Sequence, residues 1–208
     1  MKEQEKARLD AMMCYETQAR NTGYKFIGGI DEAGRGPLAG PVVAACVILP
    51  EGLYIEGLND SKKLTPSKRE KLYLEIQKAA VDIGIGLVDQ DVIDEINILN
   101  ATKKAMMMAI DKLRVKPDII LTDAVKLDVS IPQISIIKGD QKSASIAAAS
   151  IIAKVYRDRL MIKYHEDFPQ YGFKSNKGYG TKTHIEAIKK YGITPLHRKS
   201  FTKKFIES

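Results

Sequence analysis

The stretch Lys25–Leu49, KFIGGID-EAGRGPLAGP-VVAACVIL, sets the fold. Two apolar runs, 25–31 and 42–49, flank a ten-residue segment rich in glycine and proline. Both runs have strand composition, and a link this short joins them as an antiparallel pair around a wide, shaped turn. Two acids, Asp31 and Glu32, stand where the first run ends and the glycine-rich turn begins. Neighbouring strand residues point to opposite faces, so both acids reach one site only if the chain leaves strand geometry there, a freedom that Gly34 and Gly36 provide.

Working outward, the rest of the chain alternates helix and strand. Residues 3–20 read as one amphipathic helix packed on the domain. Thr65-Pro66 opens a helix to about Ala80, with Thr65 as N-cap and Pro66 at its first position. A strand over 83–89 and a helix over 91–114 follow, and Met106, Met107 and Met108 fit that helix's core better than a ligand box. DIILTD (118–123) and ISII (134–137) read as short buried strands, and 142–164 as a long helix. Its run SIAAASIIAK suits close packing on a sheet. A boundary after about Gln170 divides the chain into a core over 1–170 and a basic helical region over 171–208.

With 208 residues, 44% of them apolar, the chain has enough material for a core. No apolar run reaches membrane-span length, and the charged start MKEQEKARLDAMM lacks the apolar stretch of a signal peptide, so a cytoplasmic protein with no membrane contact is expected. Cys14 and Cys46 match no metal spacing and read as reduced thiols. The net charge of +7 is uneven. Between Lys174 and Lys204 nine basic residues face one acid, Glu186, which leaves the remainder of the chain near neutrality. Tyr171, Phe173, Tyr179, Tyr191 and Phe201 interleave these cations, a pattern suited to a nucleic-acid partner.

Carboxylates carry the chemistry. Asp31, Glu32 and Asp123 stand at strand ends and Asp140 before the long helix. Such a cluster without bases repels itself unless a divalent cation joins it, and oxygen-only donors suit Mg²⁺ or Mn²⁺. Asp140 can equally be a helix N-cap, and both readings stand. Asp60, Asp89, Asp91, Asp111 and Asp128 read as turn, cap or surface residues. His165, His184 and His197 have polar surroundings that point to surface or substrate-side roles. No Walker loop, nucleophile elbow or dinucleotide fingerprint occurs.

The segment Gly29-Ile30-Asp31-Glu32-Ala33-Gly34-Arg35-Gly36-Pro37-Leu38-Ala39-Gly40-Pro41-Val42-Val43 resembles the signature of bacterial ribonuclease HII, the type 2 ribonuclease H. Asn59-Asp60-Ser61-Lys62-Lys63-Leu64, Leu121-Thr122-Asp123, Lys138-Gly139-Asp140, the run Ser145–Val155 with Arg157-Asp158, Gly178-Tyr179-Gly180-Thr181 and His197-Arg198-Lys199-Ser200-Phe201 match in order. The sister type, ribonuclease HIII, has Gly-Lys-Gly where this chain has Gly34-Arg35-Gly36. The resemblance implies a ribonuclease H-like α/β fold, a mixed five-stranded sheet flanked by helices, with a C-terminal helical substrate-binding region. It also implies an endonuclease acting on RNA-DNA hybrids and on single ribonucleotides in duplex DNA, leaving 5′-phosphate and 3′-hydroxyl ends. Asp31, Glu32, Asp123 and Asp140 would then be catalytic and metal-binding, with two Mn²⁺ or Mg²⁺ ions. Gly34, Arg35 and Gly36 would read the 2′-hydroxyl, with glycine needed so that no side chain blocks the approach. Tyr179 would stack at the RNA-DNA junction, and Lys62 and Lys63 would contact phosphates. A monomer is expected, and the tail KKFIES carries no clear sliding-clamp motif. The alternatives are another metal-dependent nuclease or resolvase of the same fold, and a silent nucleic-acid-binding module, against which the four acids argue.

Overall fold

The computed structural model describes residues 1–206. In chain order come helices α1 (Glu3–Met12) and α2 (Cys14–Asn21), strands β1 (Ile27–Ala33) and β2 (Val42–Ile48), a 3₁₀ turn (Ser61–Lys63), α3 (Pro66–Ala79), β3 (Asp82–Val88), α4 (Gln90–Asp111), β4 (Ile119–Asp123) and β5 (Gln133–Ile136). Then follow α5 (Gly139–Lys142), α6 (Ala144–Asp167), a second 3₁₀ turn (Pro169–Tyr171), α7 (Phe173–Asn176), α8 (Lys182–Tyr191) and α9 (Lys199–Ile206). The sheet order is β3-β2-β1-β4-β5. β1 runs antiparallel to β2 and parallel to β4, so the sheet is mixed, as the sequence leads one to expect. Among the described residues no helix is long and apolar enough to cross a membrane.

Every residue of β2 is buried, because helices cover both sheet faces. That is why its sequence is an unbroken apolar run. On one face α6 and α3 pack over Val43, Ala45 and Val47; on the other α4 packs over Val42, Ala44 and Cys46. The small residues of α6 let its backbone lie almost on β1, and a Cβ on Gly29 would come within 2.1 Å of the Ser145 carbonyl carbon. Cys46 is buried and Cys14 exposed, both as free thiols.

The expected helix over 3–20 is two helices broken at Met13 (φ −91°, ψ 4°). The break swings α2 so that buried Glu16 accepts hydrogen bonds from Ser143 Oγ (2.7 Å) and Ser145 N (2.9 Å), at the start of α6. Asn97, at φ 65°, kinks α4, and its Oδ1 accepts from the amides of Leu99 and Asn100 to restart the helix. Thr65 caps α3 as expected, its side chain accepting from Lys68 N. β5 is not a buried strand: Ile134 is partly exposed at the sheet edge and Ile137, just beyond the strand, is strongly exposed.

A separate apolar cluster of Leu38, Ala39, Met161, Tyr171, Phe173, Ala187 and Ile188 ties the C-terminal helices to the glycine-rich turn. Tyr171 and Phe173 are therefore core residues, not stacking platforms. Of the expected aromatic set, Tyr179 and Tyr191 are the exposed members.

Candidate active site

The register between β1 and β4 sets Ile30 opposite Thr122, so the next residues, Asp31 and Asp123, leave the sheet side by side at the carboxyl ends of two parallel strands. That end of an α/β sheet is where its crevice opens. β1 does not leave strand geometry at the acids: its ladder with β2 runs on through Asp31, Glu32 and Ala33, while the ladder with β4 stops at Ile30. The parting of β1 from β4, not a glycine-driven bend, opens the space the acids share.

Burial, then the charges of Glu32 and Asp123, push Asp31 well above the usual carboxylate range. Glu32 is also raised, by burial and by Asp123, although Arg35 Nη1 at 3.3 Å from Oε1 opposes the shift. Asp123 Oδ1 accepts from the amide of Gly139 (2.8 Å), which ties β4 to the turn carrying Asp140. Asp140 is buried and raised by desolvation, then by Asp60 and Asp123. It is not the N-cap of the long helix. A one-turn helix intervenes, and Ser143 caps α6 by accepting from Ile146 N (3.2 Å).

Lys62 Nζ lies 3.8 Å from Asp140 Oδ2. Desolvation lowers its pKa, but Asp31, Asp140, Asp60 and Glu32 outweigh that and leave it raised. Asp60, expected as a turn residue, does cap the Ser61–Lys63 turn through Lys62 N, yet it is buried and electrostatically part of the acid cluster. Its sequence signal is its place two residues before Lys62 in the stretch Asn59–Leu64. The four expected acids thus gather at one place with Asp60 as a fifth. Among the described residues, no three His, Cys, Asp or Glu side chains form a ready ion cage.

Beside the acids is a cleft of about 350 Å³ lined by Glu32, Gly34, Arg35, Gly36, Lys62, Lys154 and Tyr179, among others. Lys63 is not part of it. Its Nζ donates to Gln141 Oε1 (3.1 Å), and it lines a different groove with Arg8, Tyr15 and Lys142. The two outer loop glycines also differ. Gly34 has φ +97°, and a Cβ there would sit 2.1 Å from Arg157 Nε, so glycine is required by the protein behind it. At Gly36 the nearest atom to an added Cβ is Tyr179 Cε1 at 3.9 Å, so a side chain there would project into open space beside Tyr179.

Two fully buried arginines hold this turn. Arg157 donates to the carbonyls of Pro41 (2.9 Å), Ala39 (3.0 Å) and Lys177 (2.9 Å). Arg198 donates to those of Gly34 (2.6 Å), Arg35 (2.8 Å) and Gly40 (2.8 Å). Arg198 therefore does not belong among the cations offered to a polyanion. Two histidines do similar work. A backbone N–H can only donate, so His197 Nδ1 accepts from Thr194 N (2.9 Å) and its Nε2 carries the proton toward His184 Nε2, 3.1 Å away. His184 in turn donates from Nδ1 to the carbonyl of Tyr179 (2.8 Å). Both rings are buried, where a surface or substrate-side role was expected, and they fix the backbone of Tyr179 while its ring stays exposed.

Comparison with known proteins agrees with this arrangement. The family "Ribonuclease HII" matches residues 28–204. A ribonuclease HII of Acetivibrio thermocellus is 62% identical over 205 residues, covering 98% of this chain and 80% of that protein. Among solved structures, the ribonuclease H2 of Pyrococcus horikoshii superposes with a TM-score of 0.74 at 32% identity, over 88% of this chain and 97% of the other. Ribonuclease HII of Archaeoglobus fulgidus, solved in complex with PCNA, gives 0.69 at 29% identity, over 83% and 93%. The chain, a ribonuclease H-like α/β protein, belongs to the ribonuclease HII family.

Proposed function

We propose that the protein is an endonuclease that hydrolyses the RNA strand of RNA-DNA hybrids and cuts 5′ of single ribonucleotides embedded in duplex DNA, leaving 5′-phosphate and 3′-hydroxyl ends. One observation carries this reading: the acids Asp31 and Asp123 emerge side by side next to a cleft lined by Glu32, Gly34, Arg35, Gly36 and Tyr179.

The donor chemistry fits a hard divalent cation. Asp31, Glu32, Asp123 and Asp140 offer only oxygen, and Lys62 and Arg35 are the cations the described structure sets against them. They line the site as separate donors, which suits an ion that keeps water and substrate phosphate oxygens in its shell. These four carboxylates would hold two Mg²⁺ or Mn²⁺ ions, which supply charge for an activated water and for the leaving 3′-oxygen.

The protein's own groups position the substrate. Backbone at Gly34–Gly36 meets the ribose, where the 2′-hydroxyl distinguishes RNA from DNA. Tyr179 presents its ring to the sugar on the DNA side of the junction, and Lys154 and Arg157 lie about 6 Å from that ring. Lys62 contacts a phosphate next to the acids, a role that positions without reading sequence. Lys63 contacts phosphate outside the cleft, from its own groove. Residues 1–170 form the catalytic core and 171–208 the substrate-clasping region of a cytoplasmic monomer. No clamp contact is assigned to the tail KKFIES; its last two residues, Glu207 and Ser208, lie outside the described residues.

The test is cleavage of a duplex carrying one ribonucleotide, with Mg²⁺ and Mn²⁺ supplied separately and an all-DNA duplex as control. Incision 5′ of the ribonucleotide and an intact control are expected. Equal cutting of both duplexes would instead identify another nuclease of this fold.

A further inference from the structure

Arg198 is fully buried, and its guanidinium grips the carbonyl oxygens of Gly34 and Arg35 from behind the turn. No peptide bond among the described residues is cis, so each N–H points opposite to the carbonyl of its own peptide unit. Gly34 C=O shares its unit with Arg35 N–H, and Arg35 C=O with Gly36 N–H. Pulling both carbonyls inward turns both N–H groups outward, to the side where Gly34, Arg35 and Gly36 line the cleft. Neither amide donates to a protein acceptor among the described residues. Here lie two adjacent donors, aimed and unused.

We propose that Arg198 is a positioning residue for substrate selection: by holding two consecutive carbonyls it presents the amides of Arg35 and Gly36 as a paired donor to the ribose 2′-hydroxyl. This rests on the reading above that the turn faces the ribonucleotide. The choice of residue follows from the geometry. Three carbonyls converge on one side chain, and only the planar five-donor fork of arginine spans them; a lysine ammonium cannot. Burial, with Arg157 nearby, pulls Arg198 down to about 9, which leaves it charged at neutral pH. Arg157 supports the same turn from Pro41 and Ala39, and its third bond, to Lys177, joins the turn to the segment that carries Tyr179.

The experiment compares binding, in EDTA so that nothing is cut, of a duplex with one ribonucleotide and the same duplex with a deoxynucleotide there. Loss of a pair of hydrogen bonds corresponds to about tenfold in the ratio of the two affinities. Arg198→Lys, checked for wild-type circular dichroism, should lose about that much discrimination with affinity for the all-DNA duplex unchanged. A variant that keeps the wild-type ratio, or weakens both duplexes alike, overturns the proposal. A wild-type ratio of one overturns the turn's reading itself and this proposal with it. Should Arg198→Lys fail to fold, hydrogen exchange on the wild-type protein decides: the amides of Arg35 and Gly36 should be slowed by the ribonucleotide duplex and not by the all-DNA one. Equal protection by both, or by neither, overturns it.

Discussion

Two clusters of like charge sit on either side of the glycine-rich turn, and the protein treats them in opposite ways. Asp31, Glu32, Asp123 and Asp140 crowd one end of the sheet, and the three whose shifts are resolved are held above their ordinary pKa. Arg157 and Arg198 are buried as deeply, yet their hydrogen bonds all go to backbone carbonyls. Charge answered from within is architecture. Charge only partly answered, by Lys62 and Arg35, marks a candidate place for a cation and a phosphate to come from outside.

The comparison can be broken most severely at the acids. Asp123→Asn should lower cleavage by about a thousandfold, the upper range for removing one electrostatic partner of a transition state, while stability and hybrid binding hold. Unchanged turnover would remove Asp123 from the site. On the arginine side, Gly34→Ala forces a methyl against Arg157 at positive φ and should cost about 3 kcal/mol in urea unfolding, as strain and overpacking combine. A loss below 1 kcal/mol would show that Arg157 can give way.

The histidine pair sharpens the contrast through pH. Burial, then His184, lowers His197 to about 4, against about 6.5 in the unfolded chain. Between those values the unfolded state binds the extra proton, so this contribution is complete above pH 6.5 and is lost as pH falls toward 4. The drop should be about 2 kcal/mol after allowing for partial solvent screening. Urea midpoints of wild type and His197→Asn at pH 7.5 and 4.5 measure it, and identical pH dependence in the two would refute it. The smallest effect on stability belongs to Gly36→Ala, within about 0.5 kcal/mol because the added methyl meets no protein atom closer than 3.9 Å. Its cleavage of the ribonucleotide duplex should nevertheless fall, and full activity would place the ribose elsewhere.

Much of this was legible in local sequence. Thr65-Pro66 announces its helix because capping is a short-range matter, and the unbroken apolar run of β2 announces a strand covered on both faces. Asp31, Glu32 and Asp123 could be picked out because each follows an apolar strand. What failed depended on distant partners. Asp140 kept a cap reading beside its metal-binding one, and the one-turn helix with Ser143 as the cap of α6 removes the first. Arg198, Tyr171 and Phe173 read as part of a nucleic-acid-facing basic surface, and His184 and His197 as surface or substrate-side residues, because the carbonyls and rings that bury them come from elsewhere in the chain. Gly34 and Gly36 are equivalent in sequence, and only the packing of Arg157 behind Gly34 separates them.

The hydrogen bond from Arg198 to Gly34 spans 164 positions, and residues 196–198 also bond to Leu38 and Gly40. During synthesis the acids of β1 and β4 are complete long before the residue that shapes the turn leaves the ribosome. A nascent or prematurely ended chain therefore holds these acids and the glycine-rich turn without the side chain that grips the turn's carbonyls. Contacts of such long separation also form late in folding. On the proposed role of Arg198, selectivity would be the last property to form, and a chain ended before residue 198 should bind the ribonucleotide and all-DNA duplexes alike.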